Sequence, residues 1–235
     1  MSVTEILEAL EAFGNEQTKK TFLRHGAKEP YFGVKVGDLK TIQKKVKKDH
    51  ALSLELYNTG NSDAMYLAGL IADEKLISKA ELQHWVDNAY WYMISEYTVA
   101  WITAESNFGM ELALEWIESD NENICSAGWA TLANLLALTP NESLELTQLK
   151  ELMNRVLSTI HSAKNRVRYT MNGFIISIGS YIPELADEAK AIARKIGKVS
   201  VNMGDTACKV PEAVSYIEKV QKRSGTAKKK KKVRC

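Results

Sequence analysis

Cysteine is scarce: Cys125, Cys208 and Cys235 are the only three in 235 residues. An odd number spread so widely builds no disulfide framework and matches no metal-ligand spacing. A reducing cytoplasm is the expected compartment. Long apolar runs are also missing. A stretch such as LANLLAL at Leu132–Leu138 is far shorter than the roughly 20 residues needed to span a bilayer, so no membrane partner is expected. The opening MSVTEILEALEAFG has neither the basic start nor the apolar core of a signal peptide. His25, His50, His84 and His161 show no ligand spacing, and neither metal nor cofactor is expected. No glycine-rich phosphate loop follows a strand, because no segment reads clearly as a strand. No Ser/His/Asp or Cys/His nucleophile is set up either. Cys125, within ICSAGWA, reads as an inert buried thiol.

What is present is a hydrophobic fraction of 45% beside a charged fraction of 26%, enough to build a core. Net charge is only +2, but it is unevenly placed. Residues 19–48 carry +8, residues 51–160 carry −12, and the tail from Lys222 carries +8. Such asymmetry suits a polyanion gripped at two ends of the molecule. Solvated helix faces and a free tail would give the same pattern.

All five tryptophans lie between Trp85 and Trp129, and WVDNAYWYMISEYTVAW (Trp85–Trp101) holds six aromatics. Buried indole needs a partner for its N–H. The cluster is either the thickest part of the core or a stacking surface. Spacing puts Trp85, Trp101, Trp116 and Trp129 in the core and leaves Trp91 open to either role.

Nearly the whole chain reads as helix. Val3, Ile6, Leu7 and Leu10 form one stripe, and Leu149, Leu152, Met153, Val156 and Ile160 another. Ser2 with Glu5, and Ser78 with Glu81, have capping-box spacing. Pro183 and Pro211 suit first helical positions. The alternation Val199, Val201, Met203 is short and reads as an ordered loop. Segments beginning at Leu54, Leu114 and Ser158 share one plan: an apolar helix end, a polar turn (NTGNS, ESDNE, HSAKN) and a helix rich in small residues. Ala127, Gly128, Met171, Asn172 and Gly173 would let neighbouring helices approach. A period near 40 with two helices per unit predicts an all-α superhelix, a HEAT-like repeat solenoid of about six helix pairs with one concave face. Residues 1–223 form that single domain, and 224–235 read as a disordered basic tail.

FLRHGAKEPYFGVKVGDLKTIQKK (Phe22–Lys45) resembles the opening motif of the AlkD-type DNA alkylation repair proteins: an aromatic–Gly–aliphatic turn, a spacer, then a helix starting with a carboxylate and bases. ELYNTGNSDAMYLAGLI, WYMISEYTVAW, LEWIESDNENICSAGW and KNRVRYTMNGFIISIG follow in the family's order, over roughly residues 15–195. The resemblance implies a superhelix holding duplex DNA in its trough. It also implies a glycosylase that removes cationic N3- or N7-alkylated purines and leaves the lesion stacked. There a carboxylate would stabilise oxocarbenium character and aromatic faces would attract the positive base. The family's first tryptophan falls on Trp91 and its second on Phe174. Its aspartate falls on Ser95, with Glu96 and Asp87 as the nearest substitutes. Glu96 would serve only if the helix were shifted by one residue. The family's arginine falls near Cys125 and Ser126, where no base stands.

The expectation is therefore a monomer that binds double-stranded DNA. Trp91, Phe174 and either Glu96 or Asp87 would stand at the lesion. Phosphates would be held by Arg166, Arg168, Lys44 and Lys45, with Lys228 and Lys229 in the tail. Salt bridges to neighbouring repeats are the alternative employment for Arg166 and Arg168. Two other classes stay open: a non-catalytic protein of the same fold that binds distorted or branched DNA, and a protein–protein scaffold.

Overall fold

The computed structural model describes residues 1–234, and Cys235 lies outside the described residues. Among these residues no strand forms. The helices are α1 (Val3–Phe13), α2 (Glu16–Arg24), α3 (Val36–Val46), α4 (His50–Asn58), α5 (Ser62–Ile71), α6 (Lys79–Asp87), α7 (Ala100–Glu105), α8 (Gly109–Trp116), α9 (Glu122–Leu138), α10 (Leu146–Thr159), α11 (Asn165–Tyr181), α12 (Ala186–Ile196) and α13 (Ala213–Ser224). A π-helical segment, Met93–Val99, runs straight into α7.

These pair as the repeat plan predicts. The inner layer is α3, α5, the π segment with α7, α9, α11 and α13, and α1, α4, α6, α8, α10 and α12 back it. The extra helix, α2, folds over the first turns. Helix starts follow local chemistry. Both capping boxes form: Ser2 and Ser78 accept from the N–H groups of Glu5 and Glu81, whose carboxylates accept in return. Asn61 and Asn121, in two of the repeated polar turns, cap α5 and α9. Pro183 opens a 3₁₀ turn ahead of α12. Pro211 stops short of α13, which is capped by the Glu212 carboxylate.

Trp85, Trp101, Trp116 and Trp129 are core residues, as their spacing predicts. Trp85 stacks on Tyr57 at 4.2 Å, and Trp129 meets Phe174 edge to face at 5.3 Å. Gly128 admits close packing: a Cβ there would lie 2.8 Å from Ile117 N and 3.0 Å from Ala113 O. Gly173 does not share that role, since nothing lies within 4 Å of its would-be Cβ.

The disorder expected of the tail is not what the structure shows. Residues 225–234 run as an extended strap along the ends of α11, α9, α7 and α5. Ala227 N donates to Ser180 O (2.8 Å), Lys230 N to Ala137 O (2.7 Å), and Val233 N to Glu105 Oε1 (2.8 Å). Composition suggested a free tail because the segment has little to bury. It is held instead by backbone carbonyls that helix ends leave without partners and by the carboxylates of Glu74 and Glu105.

Candidate nucleic-acid interface

The opening motif is organised by one buried carboxylate. Asp63, at the start of α5, accepts from Phe32 N (2.6 Å), Gly33 N (3.0 Å) and Val34 N (3.1 Å). This fixes the turn that brings α2 and the following residues over the aromatic cluster. Trp91 lies beneath that cover, 5% exposed. Its indole N–H donates to His25 O at 2.9 Å, and its ring packs against Phe22 at 5.3 Å. Of the two roles left open for Trp91, the structure shows packing, with a small exposed part on a cavity wall.

Next to Trp91 the helix is widened by one residue. Ala100 N reaches back to Ser95 O, an i→i−5 bond. In π winding the residue beneath position i is i+5 rather than i+4. Ser95 is fully buried, and Glu96 reaches the trough wall instead. Trp91 O still accepts from Ser95 N at 3.0 Å, an i→i−4 bond, so the widening lies beyond that turn, yet it is Glu96 that meets the trough.

Glu96 is nevertheless not free. Its carboxylate is held by Arg166 from α11, with Nε–Oε1 at 2.8 Å and a second bond from Nη2 to Oε2. The guanidinium lies between two phenol rings, 4.1 Å from the Tyr92 centroid and 4.4 Å from that of Tyr169. Side-chain exposure is 11% for Arg166 and 3% for Glu96. Burial opposes the Arg166 cation, but the carboxylate outweighs it and raises its pKa. Burial also raises the Glu96 pKa, against the pull of the guanidinium, so the two groups form one tightly coupled buried pair. Tyr92 and Tyr169 were not singled out as site residues. The i, i+3 spacing of Arg166 and Tyr169 on one helix was the available signal.

The pair forms a partition between two cavities. One, of about 420 Å³, is lined by Arg24, His25, Trp91, Tyr92, Asn123 and Arg166 among others. The other, of about 180 Å³, is lined by Glu96, Tyr97, Trp101, Tyr169, Gly173 and Ser177 among others. The larger mouth is bridged where α2 meets the loop before α13. A Cβ on Gly204 would lie 2.2 Å from Arg24 O, so only glycine fits this junction. His25 sits inside it, its Nδ1 3.1 Å from the Tyr92 hydroxyl. Burial, with the nearby Arg24 and Arg166 charges, lowers its pKa.

The remaining expected site residues scatter. Phe174 is fully buried against Trp129, one position around α11 from the trough-facing Gly173, and does not reach the interface. Asp87 is exposed at the end of α6, bonded to Gln83, and lines neither cavity. Arg168 is tied to backbone, to Ala163 O (2.8 Å) and Ser200 O (3.1 Å). Lys44 and Lys45 are exposed on α3. Lys228 is exposed, whereas Lys229 turns inward to Leu136 O (2.6 Å), and burial lowers its pKa. Cys125 is a buried free thiol whose pKa burial pushes up. No helix among the described residues is long and apolar enough to cross a membrane.

A family model described as "DNA alkylation repair enzyme" matches residues 6–217. Uncharacterised proteins of Listeria monocytogenes and Listeria innocua are each 35% identical, covering 92% and 91% of this chain and 95% of their own. One solved structure shares 37% identity over the whole of both chains, with a TM-score of 0.91. It is described as "a new family of proteins related to the HEAT-like repeat DNA glycosylases with affinity for branched DNA structures".

Proposed function

The chain belongs to the DNA alkylation repair enzyme family, and we propose that it is a DNA-binding protein that grips branched or distorted DNA without excising bases. The observation that carries this reading is the Glu96–Arg166 pair. Base excision of the family type asks for an available carboxylate facing electron-rich rings and an incoming cationic base. Here carboxylate and rings are present, but the cation between them is the chain's own arginine. Freeing Glu96 would break a buried pair, at a cost of about 3–5 kcal/mol. The solved relative's affinity for branched DNA supports the same reading. So does the exposed basic group on α2, α3 and the turn between them, which includes Lys20, Arg24, Lys28, Lys44 and Lys45. Phosphate contact needs charge and access, and both are available there.

Binding and chemistry separate cleanly in the test. Anisotropy titrations with a labelled four-way junction and with a duplex of equal length should show tighter binding to the junction. Affinity should fall steeply with salt. Incubation with methylated duplex should release no 7-methylguanine or 3-methyladenine above the buffer rate. Release that depends on Glu96 would overturn the reading, as would equal affinity for junction and duplex.

A further inference from the structure

The inner helices α5, α7, α9 and α11 end along one rim of the trough. A helix leaves its last four carbonyls without helical partners and carries about half a negative charge at that end. Four such ends in a row would repel a phosphodiester backbone crossing that rim. The opposite rim, where inner helices begin, attracts phosphate for the converse reason. A bare trough of this build is one-sided.

The strap changes the sign of the repelling rim. Arg234 donates to Gly69 O (3.1 Å) and Ala72 O (2.8 Å) at the end of α5, and pairs with Glu74 (2.6 Å) and Glu105 (2.8 Å). Lys229 Nζ and Lys230 N take Leu136 O and Ala137 O at the end of α9, and Ala227 N takes Ser180 O on α11. The anchors engage Lys229 and Arg234. Lys228, Lys230, Lys231 and Lys232 stay exposed, and none has a carboxylate within 4.0 Å among the described residues. Because the backbone beneath them is already fixed, binding through these lysines would not bear the ordering cost of a free tail.

We propose that the anchored strap is a second phosphate-binding ridge, on which Lys228, Lys230, Lys231 and Lys232 hold the backbone of a DNA arm leaving the trough over the C-terminal ends of its helices. This rests on the DNA-binding reading above and adds where a second arm lies.

The test uses the full chain and two variants. K228Q/K230Q/K231Q/K232Q removes the exposed charges and leaves every anchor. R234A loosens the anchor and leaves the exposed charges. The quadruple variant should keep the wild-type melting temperature yet bind the four-way junction at least tenfold more weakly near 0.1 M salt. Its log–log salt slope should be shallower by about 0.9 for each phosphate that the strap no longer neutralises. A duplex too short to overrun the rim should bind as before, and one long enough to cross it should show the same weakening. R234A should also weaken the junction and the long duplex while leaving the short one unchanged. Unchanged affinity and slope in the quadruple variant, on both junction and long duplex, would reduce the strap to a fastener and overturn the proposal. If wild-type protein shows no junction preference, the branched-DNA reading falls alone, and the long-duplex arm still judges the ridge.

Discussion

The Arg166 guanidinium is bonded to the Glu96 carboxylate and lies 4.1 and 4.4 Å from the Tyr92 and Tyr169 ring centroids. That makes the pair strongly interdependent. Arg166→Met should destabilise the fold by about 3–5 kcal/mol, because Glu96 would be left buried without its partner. E96L/R166M, which removes both charges, should recover most of that deficit in urea unfolding. Two single effects that simply add would contradict the coupling. The sequence exposed half of this arrangement. Salt bridging was one foreseeable employment of Arg166, and Glu96 was a named substitute carboxylate. Their meeting, across 70 residues, depends on how inner helices stack and leaves no trace in local spacing.

At the scale of elements, capping boxes, polar turns and the two-helix plan were readable because each is set by a few adjacent residues. Met93–Val99 was not, since a turn widened by one residue keeps the same apolar composition and only rotates it. An α-helical reading there puts Ser95 where Glu96 belongs. Phe174 was misplaced for a related reason: one step of about 100° separates core from trough on α11. The contrast between two glycines tests the packing. G128A should destabilise by about 1–3 kcal/mol, because the methyl group would press on the backbone of α8 and the residue after it. G173A meets open space and should stabilise by up to about 1 kcal/mol through helix propensity. Thermal melts of both variants check the pair, and a neutral G128A would mean that α8 and α9 pack more loosely.

For the molecule as a whole, the charge asymmetry was legible in the sequence but its wiring was not. The lysine run reads as free, yet its main chain and Lys229 are bonded to main-chain oxygens at helix ends while its other side chains stay exposed. Burial disfavours the Glu74 carboxylate, but hydrogen bonds from Lys48 and Arg234 outweigh this and hold its pKa to about 2, below the usual 4.5. A depressed carboxylate contributes stability above its unfolded pKa and loses it as pH falls through the folded one. Melting temperature should therefore drop between about pH 4.5 and pH 2 as this attachment titrates. E74Q should start lower at pH 7 and show a shallower acid decline; an identical decline in both proteins would remove Glu74 from the account.

Repeat solenoids ordinarily fray, because each unit touches only its neighbours and the end units can melt alone. In this chain Arg234 is bonded to the end of the second helix pair, and Val233 packs against both halves of the core. The terminal unit and an early one are thereby joined in a loop, so neither can peel away without releasing the other. An array that would otherwise come apart stepwise becomes a structure that opens as one.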